Sequence, residues 1–204
     1  MKKLFFLLIL SSLLLIPTIG FSTTVYDNTT YPYGGYLYAT GQVGDEVTLI
    51  GPERWVTEFM FGYGNLNGSG DETAHIRFYL NDGPGGQPGT LLNDLGVYKL
   101  DKVVLGNLTI NGLSILIPGD TFTWTVEWGN YGQYYPYFPL YNPPTIGSTK
   151  GYIWQGFWGK INEGDSHLKA KIEAESVPIP EPTTILLIGS GLFGLWGFRK
   201  RVRK

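Results

Sequence analysis

From Thr121 to Trp128 the side chains alternate without a break: Phe122, Trp124, Val126 and Trp128 fall on one side, and Thr121, Thr123, Thr125 and Glu127 on the other. A period of two predicts a strand with one buried face. The segment from His75 to Leu80 repeats the pattern, a segment from Trp55 to Phe61 places Thr57, Phe59 and Phe61 together, and Leu113 to Ile117 is a short apolar run suited to a strand. Turn-forming clusters separate these segments, at Asn65 to Gly70, Asn81 to Gly89 and Pro118-Gly119-Asp120. No helical periodicity and no internal repeat interrupts the alternation. The pattern predicts an all-β domain, a single antiparallel β-sandwich of jelly-roll-like type, whose last strand begins near Leu168 and leads into a linker.

The two ends read differently. Lys2 and Lys3 precede an apolar run from Leu4 to Ile16, Pro17 breaks it, and small residues follow, which is the anatomy of a secretory signal peptide over residues 1–22. Cleavage after Thr18-Ile19-Gly20 or Gly20-Phe21-Ser22 puts the mature start near Phe21 or Thr23. At the other end a Pro-rich linker, 176–182, contains Pro180, Glu181 and Pro182. An uncharged run of 16 residues, Thr183 to Phe198, follows, and then a basic tail with Arg199, Lys200, Arg201, Arg203 and Lys204. As a helix the run covers roughly 24 Å against a hydrocarbon core of ~30 Å, so it is a short transmembrane helix. Trp196, Phe198 and the long basic side chains extend its usable length at the interface. The basic residues place 199–204 in the cytoplasm and everything before Pro180 outside.

Charge divides along the same boundaries. Two of the 15 basic residues belong to the leader and five to the tail, leaving eight, whereas 16 of the 17 acidic residues lie between, so the ectodomain, residues 23–175, carries about −8. Such a surface excludes nucleic acid as a partner, because phosphates demand Lys and Arg, and disfavours anionic lipid. Without any cysteine, a domain bound for an oxidising compartment depends on its packed core. About 155 residues suffice for one core.

The sequence Val177-Pro178-Ile179-Pro180-Glu181-Pro182-Thr183-Thr184, a Leu/Ile/Gly helix and then Phe198-Arg199-Lys200-Arg201 resembles the PEP-CTERM sorting signal of exported bacterial proteins. The resemblance implies delivery through the Sec translocon and recognition by an exosortase, a membrane-embedded cysteine protease that processes such tails near the Pro-Glu-Pro element. The tail then acts as a temporary hold. Gly70 to Leu92, Phe122 to Val126 and Leu140 to Gly147 look like segments of a β-sandwich ectodomain found with this same tail, for which no activity follows.

Three groups of residues are candidates for chemistry. The aromatic loop from Tyr131 to Tyr141, with Tyr134, Tyr135, Tyr137 and Tyr141, and with Trp154 beyond it, suits a glycan platform, since sugar C–H faces stack on rings while phenols supply hydrogen bonds. The other reading is a loop closing one end of the sandwich. Asp71, Glu72 and Asp82 flank one strand and are a candidate oxygen set for Ca²⁺, against the alternative of turn-forming carboxylates. For catalysis, Glu58 and Glu127 form the one acid pair to weigh. His75 and His167 have no metal-ligand spacing, and no nucleophile elbow occurs. Asn28, Asn67 and Asn107 begin N-x-[ST] sequons.

The expectation is a non-enzymatic protein without cofactor, exported and released to the cell surface or extracellular matrix. Its role there is structural or adhesive, with exopolysaccharide as a partner. A carbohydrate-binding module is the second reading. An ice-binding role needs a flat array of outward threonines, and Thr121, Thr123 and Thr125 offer one short row.

Overall fold

The alternating segments are strands in the computed structural model, which describes residues 21–154, 158–159 and 167–176. Within them lie β1 (Thr23–Asp27), β2 (Pro32–Tyr38), β3 (Gln42–Thr48), β4 (Trp55–Tyr63), β5 (Thr73–Tyr79), β6 (Leu91–Lys99), β7 (Gly106–Leu116), β8 (Thr121–Gly129), β9 (Tyr137–Tyr141), β10 (Ser148–Trp154), β11 (Trp158–Gly159), β12 (His167–Leu168) and β13 (Ala170–Glu175). The expected signal helix and transmembrane helix lie outside the described residues. Among the described residues no helix is long and apolar enough to cross a membrane.

All named strand pairs are antiparallel, in three sheets. One has the order β1-β13-β4-β7, the second β11-β10-β3-β8-β5-β6, and a small third β12-β9-β2. The first two form the sandwich. Phe59 and Phe61 of β4 meet Trp124 of β8 at ring-centroid distances of 5.2 and 5.9 Å, and Phe59 meets Phe78 of β5 edge-on at 5.1 Å. The third sheet closes one end of this aromatic core through Phe138, whose ring lies 4.6 Å from that of Trp128. Each of these fully buried rings contributes roughly 2–3 kcal/mol, and no disulfide assists them.

Two expectations about facing need correction. Val56, not Thr57, shares the core with Phe59 and Phe61, because β4 shifts register against β7 between Val56 and Glu58 and against β13 at the same level. Such a bulge resets the alternation by one residue. Thr123 and Thr125 are not outward in the sense of exposed: both are 0% accessible. Strand β8 is central in its sheet, and its polar face is covered by its neighbours. Thr123 donates to Asn81 (2.7 Å), and Thr125 accepts from Gln42 (2.8 Å). The row Thr121, Thr123 and Thr125 is therefore no exposed lattice-matching surface.

One topological consequence bears on function. Strand β13 pairs with β4 from Ala170 opposite Phe61 to Glu175 opposite Trp55, and Thr23 pairs with Ala174. The chain enters the first strand and leaves the last at the Trp55 end of β4. The third sheet joins the other end, where Gly64 N–H bonds to the Tyr137 carbonyl (2.8 Å) and Gly62 N–H to that of Lys169 (3.0 Å). Nine residues of β4 separate the two ends by about 30 Å.

Candidate functional site

The third sheet carries the aromatic surface. In β2 and β9, Tyr38 stands opposite Tyr137, Leu37 opposite Phe138 and Tyr36 opposite Pro139. Leu37 and Phe138 turn inward to the core, which leaves Tyr36, Tyr38 and Tyr137 together on the outer side. Tyr36 packs edge-on against Tyr137 at 4.9 Å, and Tyr38 lies 5.2 Å from it at a tilt of 44°. Tyr137 is the fixed centre. Its hydroxyl donates to the Val104 carbonyl (2.5 Å), and its ring lies over Gly64, where a methyl group would overlap it. Burial, together with the phenols of Tyr36 and Tyr38, pushes the Tyr137 hydroxyl above its ordinary range, so the group stays neutral.

Around that centre the surface opens to solvent. Tyr38 is 63% exposed and Tyr134 54%, and Tyr31, Tyr33, Tyr36 and Tyr135 are exposed as well. Tyr135 is braced by Tyr131 at 4.5 Å. A shallow pocket of about 170 Å³ lies between the β4–β5 loop and the Tyr131–Pro136 loop, with Tyr38, Leu66, Asn67, Gln133, Tyr134 and Tyr137 around it. Rigid rings with polar tips, beside two amides, form a surface that can stack on a flat C–H face and hydrogen-bond its edges.

Of the five aromatic residues singled out in the sequence, Tyr134, Tyr135 and Tyr137 come together here. Tyr141, at the far end of β9, faces the Lys169 ammonium 5.3 Å from its ring centre. Trp154 belongs to β10 in the six-stranded sheet. The pattern missed the other half of the surface, Tyr31-Pro32-Tyr33-Gly34-Gly35-Tyr36-Leu37-Tyr38. A signal was present, because this run repeats the Tyr/Pro/Gly composition of residues 131–141 and alternates at Tyr36 and Tyr38.

The sorting residues Pro180, Glu181 and Pro182 and the basic residues Arg199, Lys200, Arg201, Arg203 and Lys204 lie outside the described residues, but their sequence is decisive. Residues 178–202 match the family described as the PEP-CTERM protein-sorting motif. The chain carries a PEP-CTERM sorting motif. Such a motif implies export, a C-terminal membrane anchor and processing by exosortase, itself a membrane protein. No curated protein and no solved structure matches the chain. The last strand, β13, ends at Glu175, at the end of the sandwich opposite the tyrosines, and the matched segment begins three positions later in the sequence.

The carboxylate candidates do not converge. Asp71 and Glu72 precede β5 and Asp82 follows it, about 20 Å away. Each has its own role. Asp71 pairs at the surface with Lys99 (3.3 Å). Asp82 accepts from the backbone and hydroxyl of Thr90 (both 2.7 Å), clasping the loop that includes a single tight helical turn at Pro84–Gly86. Glu72, 1% exposed, accepts from Ser69 N–H (2.6 Å), Gly70 N–H (2.8 Å) and the Asn65 amide (3.1 Å). Burial pushes its carboxyl up, but those hydrogen bonds outweigh it and hold the value at about 2. Among the described residues no three His, Asp or Glu side chains are grouped to hold a metal ion.

The histidines are also separated. His75 accepts from Arg77 (2.6 Å) through Nδ1 and contacts Asp94 (2.7 Å) through Nε2, while Arg77 donates to Glu127 (2.8 Å). This chain of four crosses three strands on the outer face of the six-stranded sheet. His167 is buried near Asp45, with Nδ1 3.8 Å from Oδ2. Glu58 is on β4 and Glu127 on β8, strands of different sheets whose inner faces meet through Phe59 and Trp124.

Proposed function

We propose that this exported PEP-CTERM protein is an adhesive component of the extracellular matrix, which holds polysaccharide on its tyrosine surface. The observation that carries this reading is convergence. Two runs far apart in the chain, one ending at Tyr38 and one containing Tyr134 and Tyr137, build a single exposed aromatic patch. Monomeric domains rarely expose so many clustered rings without a ligand, because the arrangement forgoes burial. The position agrees with the role. A patch at the end of the sandwich opposite the end of β13 suits presentation to the matrix, and it remains available after release.

The proposal involves no chemical step. Glu58 and Glu127, divided between the two sheets with the aromatic core between them, do not flank one bond as a glycosidase pair must.

The test is retention. The full-length protein carrying Tyr38→Ala and Tyr134→Ala together is expressed in its own cells and compared with wild type for partition between matrix and medium. Loss of most matrix retention, with unchanged thermal unfolding of the purified chain, is the expected result. Equal retention overturns the reading.

A further inference from the structure

We infer that the polysaccharide recognised by the tyrosine surface is uncharged, and that the pocket between Tyr38, Tyr134 and Tyr137 seats one sugar ring of it. This rests on the polysaccharide reading above and adds the class of ligand. The pocket is lined by four tyrosines, Leu66 and the amides of Asn67 and Gln133, with no Asp, Glu, Lys or Arg among them. A uronate or sulfate needs a cation or a fork of donors to replace its hydration, and the lining supplies none. At longer range the ectodomain, with 16 acidic and eight basic residues, repels a polyanion.

The available polar groups fit hydroxyls. The amides of Asn67 and Gln133 are exposed and take no part in the hydrogen bonds of the described residues, so each presents a donor and an acceptor to the pocket. Adjacent sugar hydroxyls, each both donor and acceptor, are complementary to such pairs. The Tyr137 hydroxyl is committed to Val104, and its ring serves as floor. A volume of about 170 Å³ is small for a whole ligand site; it displaces roughly six waters, the scale of a single ring. Exposed Tyr36, packed edge-on against Tyr137, continues the aromatic surface along β2, so a neighbouring sugar of the same chain has a further ring to stack on.

The experiment measures binding of purified full-length protein to neutral polymers (dextran, galactomannan, mixed-linkage glucan) and to uronate polymers (alginate, polygalacturonate), at low and high salt. Binding to at least one neutral polymer is expected, with affinity unchanged by salt. It should fall at least tenfold in Tyr38→Ala and in the Asn67→Ala/Gln133→Ala pair. Tyr134→Phe, which keeps the ring and removes only the hydroxyl, guards against misfolding and is expected to lose less than Tyr134→Ala. Preference for uronate polymers, weakened by salt, overturns the uncharged ligand while leaving the adhesive reading intact. Absence of binding to every polymer overturns both.

Discussion

The rings of Tyr38 and Tyr137 lie 5.2 Å apart across the β2–β9 pairing. One comes from an exposed edge strand and the other from a strand whose next residue, Phe138, is fully buried in the core. The exposed surface is therefore referenced to the aromatic interior through a single peptide step, and changes beneath it should be felt on it.

Gly64 is the place to test that coupling. A methyl group there overlaps the Tyr137 ring, which is tied to Val104 and cannot yield freely. Gly64→Ala is expected to cost about 1–3 kcal/mol and to weaken polysaccharide binding along with it. Parallel urea unfolding and binding assays check this; a variant with unchanged binding would show that the ring does not need its seat.

Glu72 governs acid stability. Its folded value of about 2 lies below its ordinary 4.5, so its contribution is fully present above about pH 4.5 and is lost as pH falls toward about 2. The contribution is at most about 3 kcal/mol. Glu72→Gln should be less stable than wild type at neutral pH, and the gap should close as both are acidified. Midpoints of thermal unfolding across that range measure it.

Asp45 acts with the opposite sign. It alternates with Val43 and Val47 on the inward face of β3, is 0% exposed, and leaves Oδ1 without a hydrogen-bond partner. Burial raises its carboxyl well above the ordinary range; the Leu168 N–H opposes this and the nearby Glu46 adds to it. His167 Nδ1 lies 3.8 Å from Oδ2, beyond hydrogen-bond distance. A proton favoured by the folded state stabilises at low pH, and that stability is lost as pH rises through the folded value. Asp45→Asn, neutral throughout, is expected to match wild type under acid conditions and exceed it at neutral pH. Denaturant midpoints of the two proteins, compared across pH, decide it.

Phe59 is the centre of the sandwich, in contact with Phe61, Phe78 and Trp124. With no disulfide as support, Phe59→Ala should cost about 3–5 kcal/mol, a large part of a typical domain stability of about 5–15 kcal/mol. Calorimetric unfolding tests this, and a loss below about 1 kcal/mol would mean the sheets collapse onto the space.

Legibility followed the physics of each element. The core face of β8 was readable because four large apolar residues in a row of alternation have one low-energy disposition. The facing of Thr57 was not, since the bulge depends on β7 and β13, strands distant in sequence. The small third sheet was invisible to an apolar period: β2 is Tyr, Pro and Gly, mostly exposed, and it is a strand because β9 offers it a partner. Half of the tyrosine surface was legible from the run near Tyr134. The separation of Asp71 and Glu72 from Asp82 was not legible for a similar reason, because closeness in sequence on either side of a seven-residue strand means distance in space.

Sequence alone determined the export route of this protein and the nature of its interior. The sorting motif is read by a protease as a linear segment, and alternation of large apolar residues is a local property of a strand. Tertiary structure decided which surface is presented and in which direction. Bringing Tyr38 to Tyr137, burying Thr123 and Thr125, and setting the tyrosines about 30 Å from the chain's exit all depend on which strands pair. Pairing is fixed by contacts between residues far apart in the chain, so no local pattern encodes it.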